Sequence, residues 1–177
     1  MEAARCADAY GLMPEHDVQQ ADAEQAYTRA EIEGTPTWVR LPRGQWPKTW
    51  ANMKDPVSPL KLALYGHPDS GGQWEALCAK HLRGVGFTEI DPWKTCFWHD
   101  VLKLFLVVYV DDFKLAGPAT AIKKGWELIR IGIKTDDPSP LGMDLGCRHD
   151  VSERKLPDTG TSTSDRIQYG GLLALMR

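Results

Sequence analysis

The apolar positions of this chain change period along its length, and each change marks an element. From residue 104 to 110, seven consecutive residues are apolar or aromatic, the run expected of a strand buried on both faces. The run ends in Asp111-Asp112, and a second, mostly apolar segment over 113–116 leads to Gly117. The stretch therefore predicts a hairpin that turns at two aspartates. Residues 95–99 read as a strand paired with 101–110 through a tight turn near Asp100. Elsewhere the spacing becomes helical. Asp69 or Ser70 offers an N-cap for a helix to about Gly84, in which Trp74, Leu77, Cys78, His81, Leu82 and Val85 share one face. Pro118 suits a helix start because it has no N–H to leave unbonded. Ile122, Trp126, Ile129 and Ile133 carry that helix to about Ile133.

The remaining segments are patterned more weakly. Residues 2–10 hold good helix formers, with Gly11 placed to end the helix. Residues 16–23 read as a strand whose apolar side chains are few, Val18 and Ala21 among them. Residues 38–41 read as a short strand closed by Pro42 and Gly44, and 42–59, rich in proline, as an irregular loop. Residues 60–66 suit either a strand or the lead into the next helix. A turn-rich linker over 135–140 and one more short strand within 141–151 complete a domain of residues 1–151. Residues 152–177 read as a disordered tail, polar over its first half. The order of elements predicts an α+β fold, a two-layer sandwich of an antiparallel sheet with helices packed on one face.

Composition narrows the picture only a little. A length of 177 residues favours one domain with a sizeable core. The net charge of −3 gives no general pull toward nucleic acid, so any such contact must rest on a local patch or on metal ions. The four cysteines are widely spaced and form no disulfide framework, which points to a reducing compartment, the cytoplasm or nucleus. The longest apolar run is too short to span a membrane, and the N-terminus has no signal-peptide core.

The two aspartates carry the candidate chemistry. Neighbouring carboxylates at a strand tip repel each other and resist desolvation, and a bound divalent cation is the usual resolution. Asp is also a common turn residue, so a hairpin that merely uses two of them is the plainer alternative. A separate metal reading takes Cys78-x-x-His81 and Cys96-x-x-His99 as zinc ligands. Their places on an apolar helical face and in a strand make both cysteines simpler as core residues. Trp74 and Trp126 have core spacing, whereas Trp46 and Trp50 in the loop remain open to stacking.

Tyr109-Val110-Asp111-Asp112, set between two hydrophobic strands, resembles the signature of reverse transcriptases. Its flanks, Leu106-Val107-Val108 and Phe113-Lys114-Leu115-Ala116-Gly117, resemble the copia-type retrotransposon branch. Asp22-Ala23-Glu24-Gln25-Ala26-Tyr27, followed by Trp38-Val39-Arg40-Leu41-Pro42-Arg43-Gly44, is similar to the family's first catalytic block. Asp17 is a rival to Asp22, but only Asp22 precedes an Ala-aromatic pair at the family's offset. Leu64-Tyr65-Gly66 with Gly71, Gly72 and Trp74 resembles the segment under the templating base pair. Gly84-Val85-Gly86-Phe87 and then Cys96-Phe97-Trp98 resemble the strand pair that leads into the metal hairpin.

The resemblance implies a palm-like domain of an RNA-directed DNA polymerase, a nucleotidyltransferase. A primer 3′-hydroxyl would attack the α-phosphate of a deoxynucleotide, with pyrophosphate leaving. It implies two Mg²⁺ ions, or Mn²⁺, about 3.5–4 Å apart. Asp22 and Asp111 would hold them, with Asp112 the weaker or transient ligand. Tyr27 would pack under the incoming sugar, although a half-buried core aromatic is an equal reading of that residue. Tyr65 and Gly66 would line the nucleotide pocket. The implied partners are a primer–template, deoxynucleotide triphosphates and the rest of a retroelement polyprotein. The middle block departs from the family pattern, with His67-Pro68-Asp69 where Leu-Lys-Gln is usual. Asp22 lies close to Met1, and nothing downstream resembles a thumb or an RNase H domain, so the chain reads as a palm fragment without fingers. Two rivals remain: an inactive retroelement remnant serving as a binding or structural module, and a palm-type nucleotide cyclase. Against the cyclase stand the Ala-aromatic pair and the Leu-Tyr-Gly block.

Overall fold

The computed structural model describes residues 2–144 and 147–148. In chain order the elements are α1 (Glu2–Gly11), β1 (His16–Asp22), β2 (Trp38–Val39), β3 (Ser58–Pro59), α2 (Ser70–Gly84), β4 (Phe87–Ile90), β5 (Trp93–His99), β6 (Leu104–Tyr109), β7 (Asp112–Pro118), α3 (Ala119–Arg130), β8 (Ser139–Pro140), β9 (Met143–Asp144) and β10 (Cys147–Arg148). They fall into two compact units. The first takes the chain up to Glu24 and again from Cys78; the second is Gln25–Leu77.

The first unit is α+β and is built on a six-stranded antiparallel sheet of order β4-β5-β6-β7-β1-β8. Leu104, Phe105 and Leu106 are buried in succession, as are residues 113–117 of β7, so the two central strands are covered on both faces. That is what an unbroken apolar run demands. On one face Ala7 of α1 packs with Val18, Phe105 and Ala116. On the other, α3 approaches so closely that a Cβ at Gly125 would lie 2.4 Å from Leu104 Cδ1 and 2.9 Å from Leu115 Cδ2. The expected sheet and fold class are therefore present, while the helices divide between the two faces instead of sharing one. Gly11 does end α1, but its missing side chain serves packing: a Cβ there would stand 2.4 Å from Val18 Cβ.

Several boundaries move for local reasons. The turn expected near Asp100 takes all of residues 100–103, since His99 pairs with Leu104. Val101 is 84% exposed there, so its hydrophobicity did not signal a strand. The helix α3 stops at Arg130, and Ile133 is buried beyond its end. The linker over 135–140 supplies β8, and the strand expected within 141–151 is the short pair β9 and β10. The tail expected over 152–177 lies outside the described residues.

In the second unit, the strand expected over 38–41 shrinks to β2, paired with β3. The segment 60–66 makes no strand; it is held by a bridge between Glu31 and Leu62 and by the Ala63 amide, which donates to Ala30 O at 2.8 Å. Ser70 starts α2, and of the expected face Trp74, Cys78 and Leu82 are buried while Leu77 is 38% exposed. Among the described residues no helix is long and apolar enough to cross a membrane.

Candidate functional site

The β6–β7 hairpin closes with Tyr109 opposite Asp112, so its two-residue turn is Val110-Asp111 and Asp112 is the first residue of β7. The turn thus falls one residue earlier than the pair of aspartates suggested. Val110 adopts φ 57°, a left-handed conformation that a β-branched side chain rarely takes. Positive φ at the first turn position matches the twist of the flanking strands. The strain buys a tight hairpin with both aspartates at its tip.

β1 runs beside β7 with Asp22 directly opposite Asp112, so these two side chains leave the same face of the sheet. Opposed residues in such a ladder have Cα atoms about 4.5–5.5 Å apart. The Ala23 amide donates to Asp111 O at 2.7 Å, which extends the ladder one step into the turn. On the other side of β1, the Asp136 amide donates to Asp22 O at 2.9 Å, and Ala23 bridges to Thr135. Asp22 is exposed and Asp111 and Asp112 are half-buried. The backbone thus brings the three predicted aspartates to one end of the sheet. Their side chains do not converge: among the described residues, no three His, Cys, Asp or Glu side chains form a group that could hold a metal. Mg²⁺ ordinarily takes one or two carboxylates and completes its shell with waters and substrate phosphates. The register places two carboxylates, Asp22 and Asp112, opposite each other, and a cage of three is not formed among the described residues.

A polar row lies next to this pair along the strands. Lys114 stands opposite Gln20 on β1 and Val107 on β6. Its ammonium donates to Asp8 Oδ1 at 2.8 Å, and the two side chains are 4% and 1% exposed. In the sequence Lys114 stands out only as part of the flank of the Asp-Asp motif, and Asp8 carries no assigned role. The available signals were a lysine inside an otherwise apolar strand and an aspartate on the inner side of an alanine-rich helix.

Within the second unit, the rings of Tyr27 and Tyr65 meet edge to face, with centroids 4.5 Å apart and planes at 72°. Tyr27 is half-buried and Tyr65 is 55% exposed. Gly66 has φ 89°, which requires a residue without a side chain. The Ser70 hydroxyl donates to Leu64 O at 2.7 Å and accepts from the Leu64 amide at 2.9 Å, which fixes the Leu-Tyr-Gly turn. His67 Nε2 lies 3.1 Å from Thr37 Oγ1.

The zinc alternative finds its residues otherwise engaged. His81 Nε2 donates to Ile129 O at 2.9 Å, at the C-terminal end of α3. His99 Nδ1 accepts from the Leu102 amide at 3.3 Å and so shapes the 100–103 turn. Cys78 and Cys96 are buried, and burial, reinforced by Cys6, pushes the Cys96 thiol up, away from the thiolate that zinc requires. A cleft of about 360 Å³ lies against α3, lined by residues including Gln19, Ile122, Trp126 and Arg130, and none of the three aspartates reaches it.

Comparison with the known protein families finds no family that matches this chain, and comparison with curated proteins finds no match either.

Proposed function

We propose that the first unit is the palm of a copia-type reverse transcriptase, an RNA-directed DNA polymerase that adds deoxynucleotides to a primer. The observation that supports this reading most is the register that sets Asp22 opposite Asp112, beside the Val110-Asp111 turn. It unites two motifs far apart in sequence, the Asp22 block and the Tyr-Val-Asp-Asp block. Asp22 and Asp112 would hold Mg²⁺ or Mn²⁺, with Asp111 on the adjoining turn available to a second ion. Such ions stabilise the attacking and leaving oxygens of an in-line phosphoryl displacement. The chain's own contribution is positioning. The β1–β7 ladder fixes the spacing of the carboxylates, and the Ala23–Asp111 hydrogen bond fixes the turn. In the second unit, the exposed Tyr65, backed by Tyr27, offers an aromatic face for a base or sugar. The reading implies work on a primer–template in the cytoplasm or nucleus, as part of a retroelement polyprotein.

Primer extension tests it. With a primer–template, deoxynucleotides and Mg²⁺ or Mn²⁺, the chain should lengthen the primer. Asp22→Asn and Asp111→Asn should each slow extension by about 100-fold or more. A second reading, an inactive retroelement remnant that binds nucleic acid, is favoured by two observations. The carboxylates are not gathered, and His67, engaged with Thr37, stands in the block that departs from the family. A folded chain that binds primer–template without extending it would establish that reading instead.

A further inference from the structure

α1 carries Ala3, Cys6, Ala7 and Tyr10 at helical spacing, so the four side chains share one side of the helix. Ala7 is buried in a cluster with Val18, Cys96, Phe105 and Ala116, and Ala3 and Tyr10 pack against it. With alanines at the contact, the helix backbone comes close to the sheet. The Tyr10 and Trp98 rings have centroids 5.9 Å apart, and the Tyr10 hydroxyl donates to Lys103 O at 2.9 Å. Tyr10 is thus fixed at the end of β5 that leads into the 100–103 turn. One helical turn back from Tyr10, about 6 Å along the axis, stands Cys6. Two residues back along β5 from Trp98, about 7 Å away on the same face, stands Cys96. The two steps match, and the charge on Cys6 is felt at Cys96, where it adds to the upward push of burial on the thiol. The cysteines are therefore neighbours across the helix–sheet contact. Cys6 is exposed there, whereas Cys96 is 3% exposed.

We infer that Cys6 and Cys96 are a redox pair: oxidation joins them in a disulfide that ties α1 to β5, and reduction releases the helix. The inference is independent of the aspartate reading. A disulfide spans Cα atoms about 4.4–6.8 Å apart, which suits a helix seated on alanines. The oxidant is hydrogen peroxide, and the exposed thiol meets it first. The Cys6 sulfur bonds to one peroxide oxygen, the O–O bond breaks, and the other oxygen leaves as water with the thiol proton. The Cys96 sulfur then attacks the Cys6 sulfenic acid. The S–S bond forms, the S–O bond breaks, and the hydroxyl leaves as water with the Cys96 proton. Two thiols are oxidised and one peroxide is reduced to two waters.

Peroxide treatment of the reduced full chain, then digestion without reductant and mass spectrometry, tests this. One linked peptide pair holding Cys6 and Cys96 should appear, two hydrogens lighter than its parts, and reductant should restore both thiols. Dimedone should tag Cys6 in Cys96→Ala, where no resolving thiol remains. The oxidised parent chain should melt above its reduced form, because the bond restricts the unfolded chain. Cys6→Ser, changed only at an exposed position, should lose both the link and the rise in Tm. Cys6 joined instead to Cys78, Cys147 or a second copy overturns the inference. So does a folded chain in which Cys6 stays unlinked or passes to the sulfinic acid while Cys96 remains a thiol. A link with no rise in Tm overturns the hold on α1. Should Cys96→Ala fail to fold, the linked peptides of the parent chain decide alone.

Discussion

Val110 carries the clearest local strain at the site, because its φ of 57° crowds a branched Cβ against its own backbone. Asparagine tolerates that conformation better, so Val110→Asn should stabilise the chain by about 1 kcal/mol, read as a higher Tm. A lower Tm would mean that the valine is held there by packing that outweighs the strain. Lys114 and Asp8 make the opposite case. Lys114→Met leaves a buried carboxylate without its ammonium and should cost about 3–5 kcal/mol in urea denaturation, most of it recovered when Asp8→Asn is added. Neither partner of this pair was legible in the sequence, since a lone lysine or aspartate names no partner. Only the meeting of α1 with β7 pairs them. Asp100 governs part of the acid response. Its hydrogen bond to the Lys103 ammonium, with the charge attraction that accompanies it, holds the carboxyl below the usual range. The folded state therefore releases this proton more readily than the unfolded state does. The stabilisation is complete above the ordinary carboxylate value and is lost as pH falls through the lowered one. Asp100→Asn should flatten that part of the Tm-versus-pH curve, and an unaltered acid limb would contradict the assignment.

Among the elements, those with strong periodicity were readable and those shaped by neighbours were not. The helix α2 begins and ends where its Ser70 and Gly84 signals stand, and Trp74, Cys78 and Leu82 bury its apolar stripe. β1 was faint because His16, Asp17, Gln19 and Gln20 dilute its apolar signal; its place is fixed by pairing with β7 and β8. The hairpin was readable as a hairpin, but its turn was not, since strand register decides whether Asp112 belongs to the turn or to the strand. Helix placement on two faces follows from the consecutive burial in β6 and β7, a demand already present in the unbroken apolar run. Gly125 is where α3 depends on that closeness. Gly125→Ala gains about 1 kcal/mol of helix propensity. It also drives a methyl into Leu104 and Leu115, both fully buried, at a cost of about 1–3 kcal/mol. The variant should be less stable, with a lower urea midpoint and an unchanged m value; a raised midpoint would show that the helix can lift off the sheet freely.

At the scale of the whole molecule, alternation and apolar runs were enough for an α+β chain with an antiparallel sheet. The division into two units was not readable, because residues 25–69, all of the second unit before α2, are held by two-residue strands, bridges and turns that leave no periodic trace. The candidate site was half readable. The paired aspartates stood out as residues, and the resemblance nominated Asp22, but only the ladder between β1 and β7 makes Asp22 and Asp112 neighbours. The central claim is that these two carboxylates, from distant parts of the chain, serve one divalent cation. Its most direct measurement is an Mn²⁺ titration of the parent chain, Asp22→Asn, Asp112→Asn and the double variant. Each single substitution should weaken binding by about tenfold or more, and the double should fall short of the product of the two because they share one ligand sphere. No Mn²⁺ binding by the folded parent chain, or affinity unchanged in both single variants, would contradict the account.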